Sequence, residues 1–171
     1  MTPASEAGGD GIRLRDLTVD DAAFQAEMLY AAACWRPGIE QPAPELLLPR
    51  PEARRYLDGW GRPGDLGVIA ELDGEPAGAA WCRRFTEADH GDGFVDAVTP
   101  ELAIGVRAHA RGQGIGRRLM VALHDRVRDA GTTRMALSAE QDNDVARRLY
   151  RSLGYVDLAP ADPKDRMILE L

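Results

Sequence analysis

The chain has 171 residues, 44% of them hydrophobic and 29% charged, with a formal net charge of −7. That is length enough to bury one full core, while the acidic balance argues against a general nucleic-acid binder and no apolar run reaches the length of a membrane span. Cys34 and Cys82 lie far apart and form no CxxC pair, which predicts no disulfide framework and a reducing, cytoplasmic setting.

Residues 1–11 are rich in Gly, Ala and acidic side chains without a basic, apolar stretch, and read as a loose tail rather than a signal peptide. A single domain is expected over residues 12–171. Residues 12–15 alternate apolar and basic and predict a first strand. Thr18, with Asp20 and Asp21 after it, is placed to cap a helix carrying Ala22, Ala26, Leu29, Tyr30 and Ala33 and ending near Trp35. Five prolines between Pro37 and Pro51 predict an irregular loop over residues 36–51, with short helical pieces at most. A short helix is expected over residues 52–60. Residues 66–72 and 77–85 read as strands joined by the hairpin signal Asp73-Gly74. An acidic, glycine-containing connection over residues 86–97 leads to a central strand at residues 99–106.

That strand runs into Arg107-Ala-His-Ala-Arg-Gly-Gln-Gly-Ile-Gly116, and an amphipathic helix follows at once. Ile115, Leu119, Leu123 and Val127 mark its apolar face, and Gly131 ends it. A basic, glycine-rich turn opening a helix is an anion site: glycine admits close backbone approach, the first helical N–H groups lack internal partners, and the helix dipole adds to them. In an acidic protein this local basic feature favours a small anion over a polyanion. The glycines sit two apart, so the run is neither the G-x-G-x-x-G dinucleotide fingerprint nor a P-loop, for which no Gly-Lys pair exists. Residues 134–138 predict a strand. Asp142 or Asn143 is placed to cap a second helix with Val145, Ala146, Leu149, Tyr150 and Leu153 on one face, closed by Gly154. Strands are expected from Tyr155 and near Met167.

Arg111, Gly112, Gln113, Gly114, Ile115 and Gly116 fill the pattern Arg/Gln-x-x-Gly-x-Gly/Ala, and Asn143-x-x-Ala146-x-x-x-Tyr150-x-x-x-Gly154-Tyr155 follows at a matching distance. Together they resemble the GCN5-related N-acetyltransferases, strongly over residues 99–155 and more loosely over 12–171. The resemblance implies an α/β fold with a mixed central sheet of six to seven strands, helices on both faces, and a splay between the fourth and fifth strands. It implies acetyl-coenzyme A as co-substrate. Its pyrophosphate would lie on the backbone of Gln113 to Gly116, with Arg111, Arg117 and Arg118 adding charge. Its pantetheine arm would lie along the backbone of Ile104, Gly105 and Val106, where Gly105 is expected to mark a bulge. Asn143 would hold the coenzyme arm or simply cap its helix.

By the same resemblance Tyr150 is the candidate acid. A phenol near pKa 10 stays protonated at neutral pH and can serve a departing thiolate whose thiol titrates near 8.5. Glu101 on the central strand is the candidate base, against a bland alternative as an exposed edge carboxylate. A lysine-like acceptor, neutral in roughly one molecule in a few thousand at pH 7, needs such help more than an α-amine does. Tyr30, Trp35, Trp81 and Phe85 are candidate walls of the acceptor site, and Glu87, Asp89, Asp92 and Asp96 candidate attractors of a cationic amine. His90, His109 and His124 lack metal-ligand spacing, so no metal is expected. The reading is an N-acetyltransferase acting on a primary amine of a small molecule or peptide, with no nucleic acid or membrane partner. Members of the family commonly pair, so a homodimer is compatible with it. The competing readings are a non-catalytic acyl-coenzyme A sensor and an ATP-binding protein.

Overall fold

Runs of small and β-branched residues at residues 66–72 and 75–83 build the middle of a seven-stranded sheet, described here from a computed structural model covering residues 10–158 and 164–171. The elements are β1 (Ile12–Asp16), α1 (Ala22–Ala33), α2 (Pro44–Leu47), α3 (Pro51–Arg54), β2 (Leu66–Leu72), β3 (Glu75–Arg83), β4 (Glu101–Val106), α4 (Ile115–Asp129), β5 (Arg134–Glu140), α5 (Asp144–Ser152), β6 (Val156–Asp157) and β7 (Lys164–Glu170). The strand order is β1-β2-β3-β4-β5-β7-β6. Every neighbouring pair is antiparallel except β4 with β5, which is parallel.

Alternation along the strands feeds two cores. Val68, Ala70, Ala80 and Leu102 face α4 and α5 and pack with Ile115, Leu119, Leu123 and Tyr150. Ile69, Ala79 and Trp81 point the other way and pack with Met28 and Leu29 of α1. Burial on both faces is why β2 and β3 read as continuous apolar runs rather than as an alternation. Asp73 and Gly74, at φ 53° and 86°, take the left-handed conformations that a tight hairpin requires. Asp21 accepts hydrogen bonds from the Thr18 amide and hydroxyl at 2.9 and 3.1 Å, closing the start of the first helix. On the far side, Arg147 of α5 joins Asp157 and Asp165 at 2.9 and 2.7 Å and ties that helix to β6 and β7.

Three expectations change. The helix foreseen at residues 52–60 stops at Arg54 and continues as tight turns. The guanidinium of Arg83, buried beside Asp65, takes the carbonyls of Arg55 and Asp58 at 3.0 and 2.8 Å, and Gly59 at φ 63° is left-handed, which a helix through it would not allow. Gly105 marks no bulge: β3 and β4 stay in register through it, and the irregularity lies between Ala70 and Glu71. Glycine is required there because α1 crosses the strand, and a Cβ on Gly105 would lie 2.1 Å from the Met28 carbonyl oxygen. Asp10 and Gly11, assigned above to the tail, are anchored: Arg118 pairs with Asp10, and the Gly11 carbonyl accepts from the Asp73 amide. Residues 1–9 of that tail lie outside the described residues.

Candidate active site

The glycine run is a left-handed elbow between β4 and α4. Gly112 and Gly114 have φ of 77° and 80°, which a side chain rarely adopts, and a Cβ at either would meet no atom within 4 Å. The loop is therefore open to a ligand. The amide of Arg118 bonds the Gly114 carbonyl at 3.1 Å, so the amides of Ile115, Gly116 and Arg117 precede the first turn and have no acceptor within the helix. Leu149 of α5 lies 3.4 Å from where a Gly116 side chain would begin, an ordinary packing distance that places α5 beside the start of α4. These features fit an anionic group such as a pyrophosphate.

The arginines around the loop are less free than the sequence implied. Arg111 donates through Nε to the Val106 carbonyl at 3.1 Å, Arg117 to the Ser152 hydroxyl at 2.5 Å, and Arg118 is paired with Asp10. The backbone amides and the helix dipole, rather than these side chains, are the features that fit an anion.

β4, which leads into this loop, is scarcely paired with its neighbour β5. The two strands share the pair Glu101↔Ala136 and no further rung among the described residues, and the Ala136 amide bonds the Pro100 carbonyl at 3.0 Å. Beyond Glu101 no rung joins the two strands among the described residues, so the stretch of β4 containing Ile104, Gly105 and Val106 has no β5 partner in the ladder, and this unpaired stretch is the slot between them. Arg36, just after α1, bonds Glu140 at the end of β5 and Asp142 beyond it, each at 2.7 Å, and lies over the Trp35 ring.

Glu101 stands where the slot closes, and it is not an exposed edge carboxylate. It is 2% exposed, and its face of β4 is the α1 side. Burial pushes its pKa up, partly opposed by hydrogen bonds from the Tyr56 hydroxyl and the Gly93 amide. Both donors meet Oε1, while Oε2 is buried and has no hydrogen-bond partner among the described residues. The Tyr56 ring meets Phe85 edge-on at 5.4 Å, and its carbonyl accepts from the Trp81 indole at 3.1 Å. His90 stacks on Phe94 at 4.4 Å and donates through Nδ1 to the Gly91 carbonyl.

Tyr150 lies on the other side of the sheet, on α5 in the α4 core, and burial pushes its pKa up to about 12. It thus holds its proton throughout the working range of an enzyme. Asn143 caps α5, accepting from the Ala146 amide at 3.2 Å, so its side-chain oxygen has a structural task. Cys82 is buried and its thiol is pushed up to about 12, which makes it a poor nucleophile.

Among the candidate acceptor walls, Trp81 is wholly buried core, Phe85 backs Tyr56, and Tyr30 donates to the Pro42 carbonyl at 2.9 Å. Three of the four acidic candidates are engaged by the protein's own cations: Asp89 with Arg55, Asp92 with Lys164, and Asp96 with Arg134. They are therefore not a free attractor for an amine. Sequence reasoning missed Tyr56, Gly91, Gly93 and the Arg36 contacts. The one local signal was Gly91-Asp92-Gly93 shortly before Glu101, since Tyr56 meets its partner only across 45 positions.

The chain is similar to known proteins in sequence and in fold. The chain is 32% identical over 160 residues to the mycothiol acetyltransferase of Nocardiopsis dassonvillei, covering 90% of this chain and 46% of that protein. It is 37% identical over 89 residues to the L-amino acid N-acyltransferase MnaT of Escherichia coli, covering 52% of this chain and 49% of that one. The chain thus spans about half the length of these curated relatives. Among solved structures, yncA of Salmonella typhimurium, determined with its cofactor acetyl-CoA, superposes with a TM-score of 0.65 at 25% identity, covering 94% of both chains. The ribosomal-protein-alanine N-acetyltransferase of Brucella melitensis gives 0.67 at 21% identity over 92% of this chain and 99% of that one, a likeness of fold. Residues 29–155 match the profile of the acetyltransferase (GNAT) family, a span that contains the glycine elbow, the slot, Glu101 and Tyr150, and the chain belongs to that family.

Proposed function

We propose that this chain moves an acetyl group from acetyl-coenzyme A to a primary amine of a small molecule or peptide, by direct attack while both are bound. The observation that carries the reading is an open glycine elbow at the end of β4, a strand whose pairing with β5 is confined to Glu101 and Ala136, with that glutamate buried and partly unpartnered. The coenzyme supplies the thioester carbonyl when bound. The amides following Gly114 would hold its phosphates, and the free edge of β4 around Ile104 to Val106 would take its amide arm. Attack forms the C–N bond and breaks the C–S bond. Glu101 accepts the proton lost by the amine, and Tyr150 supplies one to the departing sulfur. With Cys82 buried and its thiol raised, direct attack is favoured over an acetylated cysteine.

Most of the rate would come from holding the two reactants together and from polarising the carbonyl. The relatives' names support a small acceptor, because one names mycothiol and the other L-amino acids. Calorimetric titration with acetyl-coenzyme A, followed by a free-thiol release screen over amino acids, polyamines and amino sugars, tests the reading. Saturable binding with turnover of at least one amine is the expected result. Binding with no turnover across the panel would instead favour a sensor.

A further inference from the structure

Glu101 has an obvious counter-ion that it does not use. Arg83 lies directly opposite it in the β3–β4 register, on the same face of the sheet, and both side chains are buried. Yet Arg83 turns away. Asp65 takes its Nε and Nη2 at 3.1 and 2.6 Å, the carbonyls of Arg55 and Asp58 take its Nη1, and Trp60 lies under its guanidinium. Glu101 is instead held by neutral donors, the Tyr56 hydroxyl and the Gly93 amide, and both bind the same oxygen.

The surroundings make that choice specific. A Cβ on Gly91 would lie 1.8 Å from the Tyr56 oxygen and 2.5 and 2.6 Å from the two oxygens of Glu101, so glycine lets the chain close over the pair. A Cβ on Gly93 would meet the backbone of Leu137 and Ser138 at 2.7 and 2.8 Å, so the amide that binds Oε1 is wedged against β5. Tyr56 is fixed by Trp81 and Phe85. The other charged or titratable groups facing this point are His90 and Asp92 from the connection before β4, and Arg55 beside Tyr56. Asp92 is paired with Lys164 of β7, and Arg55 donates to the His90 carbonyl. No arginine or lysine bonds Glu101 among the described residues.

A carboxylate clamped by arginine is a weak base, whereas one held by neutral donors keeps its basicity. A buried carboxylate oxygen with no donor is costly unless it meets a proton or a ligand.

We propose that Tyr56 is a positioning residue for proton removal, fixing Oε1 of Glu101 together with the Gly93 amide so that Oε2 is the oxygen that receives the acceptor's proton. The proposal rests on the acetyl-transfer reading. As the C–N bond forms, the amine's proton passes to Oε2 through a water, because the chain at Gly91 covers the carboxyl from direct contact, and the proton of Tyr56 stays on its own oxygen. Burial and the neighbouring carboxyl push the Tyr56 pKa up, so the phenol remains a donor wherever the enzyme works.

The test titrates the Glu101 carboxyl directly, by carbon-detected NMR, in the wild-type protein and in Tyr56→Phe. It is paired with the pH dependence of kcat/KM for an amine found in the thiol-release screen. Loss of the phenol donor weakens the ionised form, so the midpoint of Glu101 rises by about one pH unit. The acid limb of kcat/KM rises with it, kcat falls about tenfold or more, and KM for acetyl-coenzyme A is unchanged. A purely structural tyrosine would leave the acid limb where it was. Should Tyr56→Phe not fold, 3-fluorotyrosine placed at position 56 keeps the ring and strengthens the donor, and the midpoint must then move down.

An unchanged Glu101 midpoint in the variant overturns the proposal. So does an acid limb in the wild-type protein that does not track Glu101. Coenzyme binding without turnover of any amine overturns the transfer reading, and the NMR midpoints then report separately whether Tyr56 and Glu101 are coupled.

Discussion

Replacing Gly105 with alanine puts a methyl group 2.1 Å from the Met28 carbonyl oxygen and 2.8 Å from its carbonyl carbon. Both are backbone atoms in the middle of α1, so no side-chain rotation relieves the contact. An ordinary separation of 3.4 Å or more is reached only if the helix lifts from β4 by more than an ångström. Met28 and Leu29, buried under that helix against Ile69, Ala79 and Trp81, must shift with it. Overpacking of a tight core costs about 1–3 kcal/mol, and a backbone clash belongs at the upper end. In a domain of this length each kcal/mol moves Tm by roughly 2–4 °C, so Gly105→Ala is expected to melt about 6–12 °C lower. Scanning calorimetry without coenzyme is the assay. A Tm within about 2 °C of the wild-type protein would show that α1 does not bear on β4 at this point.

Tyr150→Phe is expected to lower kcat about a hundredfold in the thiol-release assay while leaving acetyl-coenzyme A binding intact, because general acid help is worth that order and the ring packing is kept. Equal losses in binding and kcat would mean that the hydroxyl only positions the coenzyme. Asp65→Asn strips the counter-charge from a guanidinium that is 1% exposed, at a cost of about 3–5 kcal/mol read from urea unfolding. Replacing Arg83 with Met in the same chain should recover much of that loss. His124 is buried against the Tyr155 hydroxyl at 3.0 Å, and burial lowers its pKa from 6.5 to about 4. The unfolded chain takes up this proton near pH 6.5 and the folded one only near pH 4. Stability is therefore full above pH 6.5 and falls between those values by up to about 3 kcal/mol. His124→Gln should flatten that part of the stability profile, and an unaltered slope would assign the acid sensitivity elsewhere.

What could be read from the chain was what it encodes locally. The glycine elbow and α4 follow one another within a few residues, and their chemistry is a matter of φ angles, orphan amides and a helical apolar stripe. The hairpin at Asp73-Gly74 is of the same kind. The helix foreseen at residues 52–60 gives way to turns that pass through the left-handed Gly59 and wrap a side chain far along the sequence, Arg83. Gly105 reads in the sequence as a bulge, and only the path of α1, which comes from a distant part of the chain, reveals a close approach instead. At the candidate site, Glu101 could be nominated from its strand, but its burial could not, because Tyr56, Gly91 and Gly93 close on it from two separate segments. The acidic stretch between β3 and β4 looked like an attractor because its cations, Arg55, Arg134 and Lys164, come from three distant elements.

The pairing of β4 with β5 through Glu101 and Ala136 means that two panels of sheet are stitched at one point. An amide-bearing ligand laid along the free edge of β4 would act as a splice, completing a ladder that the chain itself leaves open. Ligand supply would then govern folding stability as well as turnover. At a hundred times its Kd, the coenzyme would add about 2.7 kcal/mol to the folded state. Amide protons on the slot side of β4 would exchange readily in the free protein and slow sharply once the splice is in place. A chain kept far from its coenzyme would be the more perishable one, and its lifetime would report on the acyl-donor pool around it.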